Sequence, residues 1–334
     1  MLCRLLVLLL LLLDSPLELS LAVNNNPNSD KKHLVILSHG LMGSERDLKF
    51  LGERLESKGV RVLFSSANRL TASMQGVEAG ARRLVQEVEH VIYNNPDIEK
   101  ISFVGNSLGG IYARFALMLY EDIKPRGLEF HKFLTIATPH LSVRSHLYVE
   151  QEFGIQLPAI LKSMVSKVLQ RTGKELLLEE EDDLLHQMGC NESFLAPLRA
   201  FRERRLYANL ASDFMVPLGT AAFLEDHEVA GLRAQYSQSS GIVSVIDHRP
   251  TTSDWASEGC GSDSGDKVQQ MRIGLNSMSW SKHVVSFSMA FLFLPLAHNM
   301  IAALRKSPEW FFVKFLGTGE GDYIMEHAAD WLSA

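Results

Sequence analysis

The sequence predicts an α/β fold with a mostly parallel central sheet that is flanked by helices. Short apolar runs rich in β-branched and aromatic residues alternate with segments whose apolar residues recur every three or four positions. Such alternation indicates a parallel sheet covered by helices. A strand-to-helix turn of pattern G-x-S-x-G lies at 105–109, in the middle of the alternation. The 334-residue length fits one such domain with insertions, and two domains are also compatible with it.

The individual elements follow from this pattern. Buried strands are predicted where apolar runs of strand length occur, at 33–38, 60–64, 101–104, 131–138, 205–211, 242–246 and from 284. Ser44 is expected to cap a helix that carries Leu48, Leu51 and Leu55. A second helix is predicted over 76–93, and a third carries Ile111, Phe115 and Leu119 on one face.

The turn at Gly105-Asn106-Ser107-Leu108-Gly109 has the pattern of a nucleophile elbow. In such an elbow the serine has a strained backbone conformation, and its neighbours must be small because strand and helix nearly touch. The geometry raises the hydroxyl of Ser107 above the carboxyl edge of the sheet and aims the first N–H groups of the helix at the group that it attacks. The alternative is an ordinary glycine-rich turn.

The strand at 33–38 ends in His39-Gly40-Leu41-Met42-Gly43-Ser44. A strand followed by H-G-x at this place supplies one half of an oxyanion hole in α/β-hydrolases. The glycine lets the backbone approach the substrate, so that the N–H of Leu41 can donate to a developing oxyanion, with the N–H of Leu108 as second donor. Without the elbow, this stretch would be read as a plain loop.

Asp213 stands just past the strand predicted at 205–211, where a carboxylate suits the acid of a catalytic triad. An Asx-turn that closes the strand is the structural alternative. Asp226 and Asp247 are weaker candidates for the acid, and Asp247 also follows a strand-like run.

His298 is the last histidine before the terminal helices, which suits the chain order Ser, Asp, His. It is expected in a loop between a buried strand and a short helix from Met300. The apolar stretch 284–304 reaches membrane-spanning length, but a transmembrane helix would place His298 and Asn299 in lipid. The other candidates for the base are His283, and behind it His227 and His248, whereas His140 is expected to be structural at a strand end.

The segment 141–199 interrupts the alternation and predicts a helical lid. Apolar residues fall at helical spacing over 157–169, and lysine and arginine occupy the remaining side. A basic amphipathic helix inserted at this edge suits a cap that contacts a lipid surface. A helix that only packs on the core remains the alternative.

Composition disfavours several classes of function. Hydrophobic residues make up 46% and charged residues 22%, which is typical of a globular protein. The net charge of −6, without a basic stripe, disfavours a nucleic-acid partner. Cys3, Cys190 and Cys260 form no C-x-x-C pair, which disfavours a zinc or redox site, and no cofactor is predicted. Cys190 and Cys260 form one disulfide or remain free thiols, depending on the compartment.

The N-terminal residues 1–23 predict a signal peptide or membrane anchor. One arginine precedes an apolar run of leucine and valine that is too short to span a bilayer alone. A polar linker follows over 24–32, before the domain at 33–334. This leader favours the secretory pathway or an organelle membrane, and an uninformative extension is the alternative.

With these motifs in hand, the chain resembles the DUF676 family of serine esterases and lipases, which have the α/β-hydrolase fold. The resemblance covers about 33–304 and rests on HGLMGS at 39–44, VGNSLGG at 104–110, FLTIATPHL at 133–141, YANLASDFMVP at 207–217 and LAHNMI at 296–301. It implies Ser107 as nucleophile, Asp213 as acid and His298 as base. It also implies Leu41 and Leu108 as oxyanion donors, and lipid esters such as acylglycerols or phospholipids as substrates.

The expected function is therefore hydrolysis of a carboxylic ester, with a lipid as substrate and a membrane surface as a partner. Two alternatives remain open. An acyltransferase or thioesterase uses the same triad but resolves the acyl-enzyme with another acceptor. A catalytically silent lipid-binding module on the same fold is the second, and loss of a triad residue would favour it.

Overall fold

The structure is a computed structural model that describes residues 32–120, 127–143, 170–178, 183–213, 215–250, 266–287, 297–303 and 320–334. The predicted leader, nearly all of the linker, the amphipathic stretch 157–169 and Cys260 lie outside these ranges. The expectations attached to them therefore stay predictions.

Seven strands form one sheet in the described residues. They are β1 (His33–Ser38), β2 (Arg61–Phe64), β3 (Lys100–Asn106), β4 (Glu129–Ile136), β5 (Glu203–Asn209), β6 (Gly241–His248) and β7 (Trp280–Ser286). Their spatial order is β2-β1-β3-β4-β5-β7-β6. All neighbours are parallel except β6 and β7, which pair antiparallel at one edge. The predicted parallel sheet is confirmed, with one antiparallel edge strand.

Helices cover both faces of this sheet. They are α1 (Lys49–Ser57), α2 (Val77–Asn94), α3 (Leu108–Tyr120), α4 (Gln170–Leu176), α5 (Leu184–Cys190), α6 (Glu192–Arg199), α7 (Leu218–Ala221), α8 (Asp226–Tyr236), α9 (Lys267–Asn276), α10 (Ala297–Met300) and α11 (Glu320–Ser333). A 3₁₀ helix spans Leu70–Met74. Helices α4, α5 and α6 lie within the predicted lid segment, whose role as a lid stays a prediction.

The two faces of the sheet bury separate apolar clusters. Along β1, Leu34 and Ile36 join the cluster that also contains α2 and α3, whereas Val35 and Leu37 join the cluster of α1, α10 and α11. This division follows from the strand period of two, which points successive side chains to opposite faces. Every residue of β1 is buried, as expected for a parallel strand covered on both sides.

Three local predictions are wrong. The first helix begins at Lys49 without a side-chain cap, because Ser44 instead bonds with Asp47 in the preceding turn: the Ser44 N–H donates to Asp47 Oδ2 over 3.2 Å. His298 lies within the short helix α10 rather than in a loop before a helix at Met300. The last strand also starts earlier than expected, at Trp280.

Cys190 ends α5 and is disulfide-bonded.

In the part of the chain that the structure covers, no helix combines the length and apolar character needed to cross a bilayer.

Lys282 on β7 has a buried amino group in the core. Its side chain is 2% exposed, Nζ donates to Asn276 Oδ1 over 2.8 Å, and Nζ lies 4.1 Å from the centre of the Phe223 ring. Burial lowers the pKa of Lys282 to about 7, against the opposing effect of Glu228. The ammonium is therefore less favourable in the folded protein than in the unfolded chain.

We expect Lys282→Met to flatten the pH dependence of stability. Between pH 7 and the ordinary lysine range near 10.5, the unfolded chain binds a proton that the folded protein does not, so stability rises with pH there. The advantage of the variant over wild type should shrink by about 2 kcal/mol between pH 7 and pH 9. Urea unfolding at both pH values measures this, with Lys49→Met on the surface of α1 as control; equal curves for all three proteins would contradict it.

Candidate active site

Ser107 occupies the turn between β3 and α3 in a left-handed backbone conformation, with φ of 55°. Its N–H donates to the carbonyl oxygen of Ile136 at the end of β4 over 2.8 Å. Its own carbonyl accepts from the N–H of Gly110 over 3.1 Å. A non-glycine residue in this region is strained by about 1–3 kcal/mol, so the surrounding structure must hold it. The predicted strain at Ser107 is confirmed.

Glycines permit the close approach of strand and helix at this turn. A Cβ atom on Gly105 would collide with the backbone of Gly110. A Cβ atom on Gly109 would collide with the carbonyl oxygen of Ser38, the last residue of β1. The small residues that the motif requires are therefore needed on both sides of Ser107.

The loop after β1 lies directly beside Ser107. A Cβ atom on Gly40 would lie 2.8 Å from Ser107 Cβ and 3.4 Å from its Oγ. The N–H of Gly43 donates to the carbonyl of Gly40 over 3.1 Å, which closes a turn around Leu41 and Met42. The structure thus brings the two predicted oxyanion segments together, since Leu108 is the first residue of α3.

Asp213 and His298 form a buried pair. His298 Nδ1 lies 2.9 Å from Asp213 Oδ2, and the two side chains are 6% and 1% exposed. A carboxylate accepts hydrogen bonds, so Nδ1 carries the proton in this pair. The other ring nitrogen, Nε2, is then the one with a lone pair for proton transfer.

Three further donors hold the carboxylate of Asp213. Oδ1 accepts from the N–H groups of Met215 and Val216 over 3.0 and 2.8 Å. Oδ2 accepts from Asn209 Nδ2 over 2.7 Å. These bonds fix the orientation of the carboxylate toward His298. The bonds from the N–H groups of Met215 and Val216 form the Asx-turn that the sequence offered as an alternative role for Asp213. Asp213 therefore closes this turn and contacts His298 at the same time.

Asn209 was missed in the sequence analysis as a residue of this site. It is the last residue of β5 and stands four positions before Asp213. Its place at a strand end was a usable signal, but an amide at that position is equally common as a turn residue.

The elbow and the acid–histidine pair lie at the same edge of the sheet. Ser107 directly follows β3, and Asp213 follows β5, with only β4 between these parallel strands. Neighbouring strands are about 4.8 Å apart, so the two strand ends are separated by about 10 Å. An imidazole bound to Asp213 suits a gap of that size.

The other histidines have different surroundings. His283, the first alternative as base, packs on Tyr207 and on His327 of α11, with ring centres 5.0 and 5.3 Å away. His140 is fully buried, and its ring nitrogens lie 3.0 Å from Thr135 Oγ1 and 3.3 Å from Arg114 Nη1. Burial, with Arg114 and Lys282 nearby, keeps the pKa of His140 well below its usual value. It therefore has the contacts expected of a structural histidine.

The remaining candidates are exposed, except for His248, which is half-buried. His227 is 78% exposed and pairs with Glu225. His248 Nε2 lies 2.6 Å from the carbonyl of Asn276. Asp226 begins α8 as an exposed residue, and Asp247 is exposed on β6, where it accepts from the hydroxyl of Ser281 over 2.8 Å.

Comparison with known proteins identifies the family. The family model described as "Putative serine esterase (DUF676)" matches residues 28–225, which is more than half of the chain. The "Putative lipase ROG1" of Saccharomyces cerevisiae is 30% identical over 208 residues, which cover 58% of this chain and 29% of that protein. The "Putative lipase YDL109C" of the same yeast is 27% identical over 210 residues, 59% of this chain and 31% of that protein. The matches thus span about a third of the length of these relatives.

Two solved structures are similar at low sequence identity. A hormone-sensitive lipase from a metagenome library matches 92% of this chain and 80% of its own, with 14% identity and a TM-score of 0.47. The monoacylglycerol lipase of Paleococcus ferrophilus matches 91% of this chain and 95% of its own, with 12% identity and a TM-score of 0.44. The sheet order and the strained elbow of this chain are themselves those of an α/β-hydrolase. By the family match, the chain belongs to the DUF676 family.

Proposed function

We propose that this protein hydrolyses carboxylic esters of lipids through Ser107, His298 and Asp213. The observation that carries the proposal is the strained Ser107 at the same sheet edge as the buried Asp213–His298 pair. The two yeast relatives carry the name "Putative lipase", which supports an acyl ester as substrate. Met215, two residues after Asp213, is 48% exposed and offers an apolar side chain beside the acid.

In the proposed reaction, His298 Nε2 takes the proton of the Ser107 hydroxyl as its oxygen attacks the acyl carbonyl. Asp213 keeps the imidazole in the required tautomer and stabilises the imidazolium. The N–H groups of Leu41 and Leu108 donate to the oxyanion that develops. His298 then protonates the leaving alcohol, and water releases the fatty acid from the acyl-enzyme by the reverse proton path.

We expect the purified full chain to react stoichiometrically with a fluorophosphonate and to release fatty acid from acylglycerol or phospholipid vesicles. A nitrophenyl ester should give a burst of one nitrophenol per fluorophosphonate-reactive site, because acylation precedes slower release of the acid. Mass spectrometry of the products, with and without added alcohol, separates hydrolysis from acyl transfer. A folded protein that neither labels nor hydrolyses these esters, with or without vesicles, would refute the proposal and favour a silent lipid-binding module.

A further inference from the structure

The buried hydroxyl of Ser73 holds the loop that lies beside Ser107. Ser73, in the 3₁₀ helix at Leu70–Met74, is fully buried. Its Oγ accepts from the N–H of Met42 over 2.8 Å and donates to the carbonyl of Leu70 over 2.6 Å. The N–H of Leu70 in turn donates to the carbonyl of Gly43 over 2.9 Å. One hydroxyl therefore closes a ring of hydrogen bonds between the 3₁₀ helix and the 40–43 turn.

The turn needs such support because one of its central residues is strained. Met42 has a φ of 55°, in the left-handed region that a residue with a Cβ atom rarely adopts. This strain must be offset by contacts outside the turn. The Ser73 hydroxyl is a side-chain contact to its backbone N–H. Since Leu41 immediately precedes Met42, the orientation of the Leu41–Met42 backbone depends on this bond.

Ser73 is itself fixed by two other segments. Its carbonyl accepts from the hydroxyl of Tyr112 on α3 over 2.7 Å and from the hydroxyl of Thr172 on α4 over 2.9 Å. The same Thr172 oxygen accepts from the N–H of Gly76 over 2.9 Å. Tyr112 and Thr172 are fully buried. The helix that begins at the nucleophile elbow and a helix of the 141–199 segment thus meet at one residue, Ser73.

We propose that Ser73 is a positioning residue that orients the Leu41 N–H to donate to the oxyanion. Tyr112 and Thr172 act on the same N–H group through their hydrogen bonds to Ser73. This inference rests on the proposed esterase function. Ser73 contacts the loop and not the reacting atoms, so its effect is on the transition state through the geometry of one donor. A donor must lie at about 2.7–3.1 Å from the oxyanion to stabilise it.

Replacement of Ser73 by alanine should therefore lower kcat while leaving KM nearly unchanged. A misplacement of about 1 Å costs on the order of 100-fold in rate, so we expect kcat to fall roughly 10- to 100-fold. A transition-state analogue such as a boronic acid should bind more weakly by the same factor as kcat/KM falls, since both report on the oxyanion donors. Tyr112→Phe and Thr172→Val keep the side-chain shape and should each lower kcat several-fold, and Thr172→Ser should restore it.

Ser277→Ala is the matched control. Ser277 is also a buried serine whose hydroxyl donates to the carbonyl three residues before it, that of Gly274, over 2.6 Å. It follows α9, and its described side-chain hydrogen bonds are with Gly274 and Arg199 rather than with the 40–43 turn. Rates are measured on the full chain. Each rate is divided by the concentration of active sites, which is found by complete reaction with a fluorophosphonate. A loss of folded protein is then not counted as a loss of kcat.

The outcomes separate the two proposals. If Ser73→Ala and Ser277→Ala have the same kcat per titrated site, or if the boronic acid affinity of Ser73→Ala is unchanged, the positioning role is refuted and the esterase function stands. A wild type that neither labels nor hydrolyses esters refutes both. The inference is supported if Ser73→Ala loses kcat and binds the boronic acid more weakly by the same factor, and if Thr172→Ser keeps the kcat that Thr172→Val loses.

Discussion

Ser107→Ala is expected to abolish labelling by a fluorophosphonate and to lower ester hydrolysis by roughly 10⁴- to 10⁶-fold. The substitution removes the proposed attacking oxygen and little else. The backbone bonds that fix the turn, from the Ser107 N–H to Ile136 and from the Gly110 N–H to Ser107, do not involve the side chain. Alanine tolerates the φ of 55° about as well as serine does, so the fold should be retained. Circular dichroism and thermal unfolding check the fold, and the steady-state rate checks the chemistry.

Ser142→Ala is the control for this experiment. Ser142 is a buried serine that is also in the left-handed region, with φ of 79°. It therefore carries the same chemical change in a similar backbone conformation. If the two variants lost activity to the same extent, the loss at Ser107 would not be specific to the proposed nucleophile, and the assignment of Ser107 would fail.

The elbow was predictable from sequence because its requirements are local. Gly105, Ser107 and Gly109 lie within five consecutive residues. Gly105 is required by a contact within the turn, and Gly109 by the close approach of β1. The strained conformation of Ser107 follows from the same pattern. The pattern was therefore recognisable within one short stretch, although β1 and β4 also pack against the turn that it forms.

The parallel class of the sheet was predictable from the sequence, but the spatial order of its strands was not. Alternating strands and helices indicate a parallel sheet, and six of the seven strands indeed run parallel to one another. The place of β6 at the edge, beyond β7 and antiparallel to it, depends on pairing between residues about 40 positions apart. Nothing in the run at 242–246 distinguishes that partner from another, because β propensity reports on a half-buried surface and not on its neighbour.

The contacts that orient the site were not predictable, because they join distant segments. Ser73 contacts Met42, Tyr112 and Thr172, which lie 31, 39 and 99 residues away. A lone serine in a polar loop has no sequence signature for such a role. The wrong helix start at Ser44 has a simpler cause. A Ser and an Asp three residues apart match a capping pattern, but here they bond with each other in a turn before the helix.

Asp213→Asn is expected to lower kcat by roughly 10³- to 10⁴-fold without unfolding the protein. Asparagine keeps the shape of the side chain and a carbonyl oxygen for the N–H groups of Met215 and Val216. It removes the charge that favours the imidazolium, and its amide can donate to His298 Nδ1, which places the ring proton on Nε2. The base would then have no lone pair facing Ser107. Rates at pH 8, with the fraction of folded protein measured separately, test this.

Asp247→Asn and His283→Gln are the matched controls for the acid and the base. Both residues were sequence candidates, and neither makes a described contact with Asp213 or His298. We expect these two variants to keep wild-type kcat per folded molecule, whereas His298→Gln should be at least as slow as Asp213→Asn. Because Asp213 would act only through the imidazole, the double variant Asp213→Asn/His298→Gln should be no slower than His298→Gln alone. Additive losses would mean that the carboxylate acts independently of His298, and the proposed triad would then be wrong even if each residue matters.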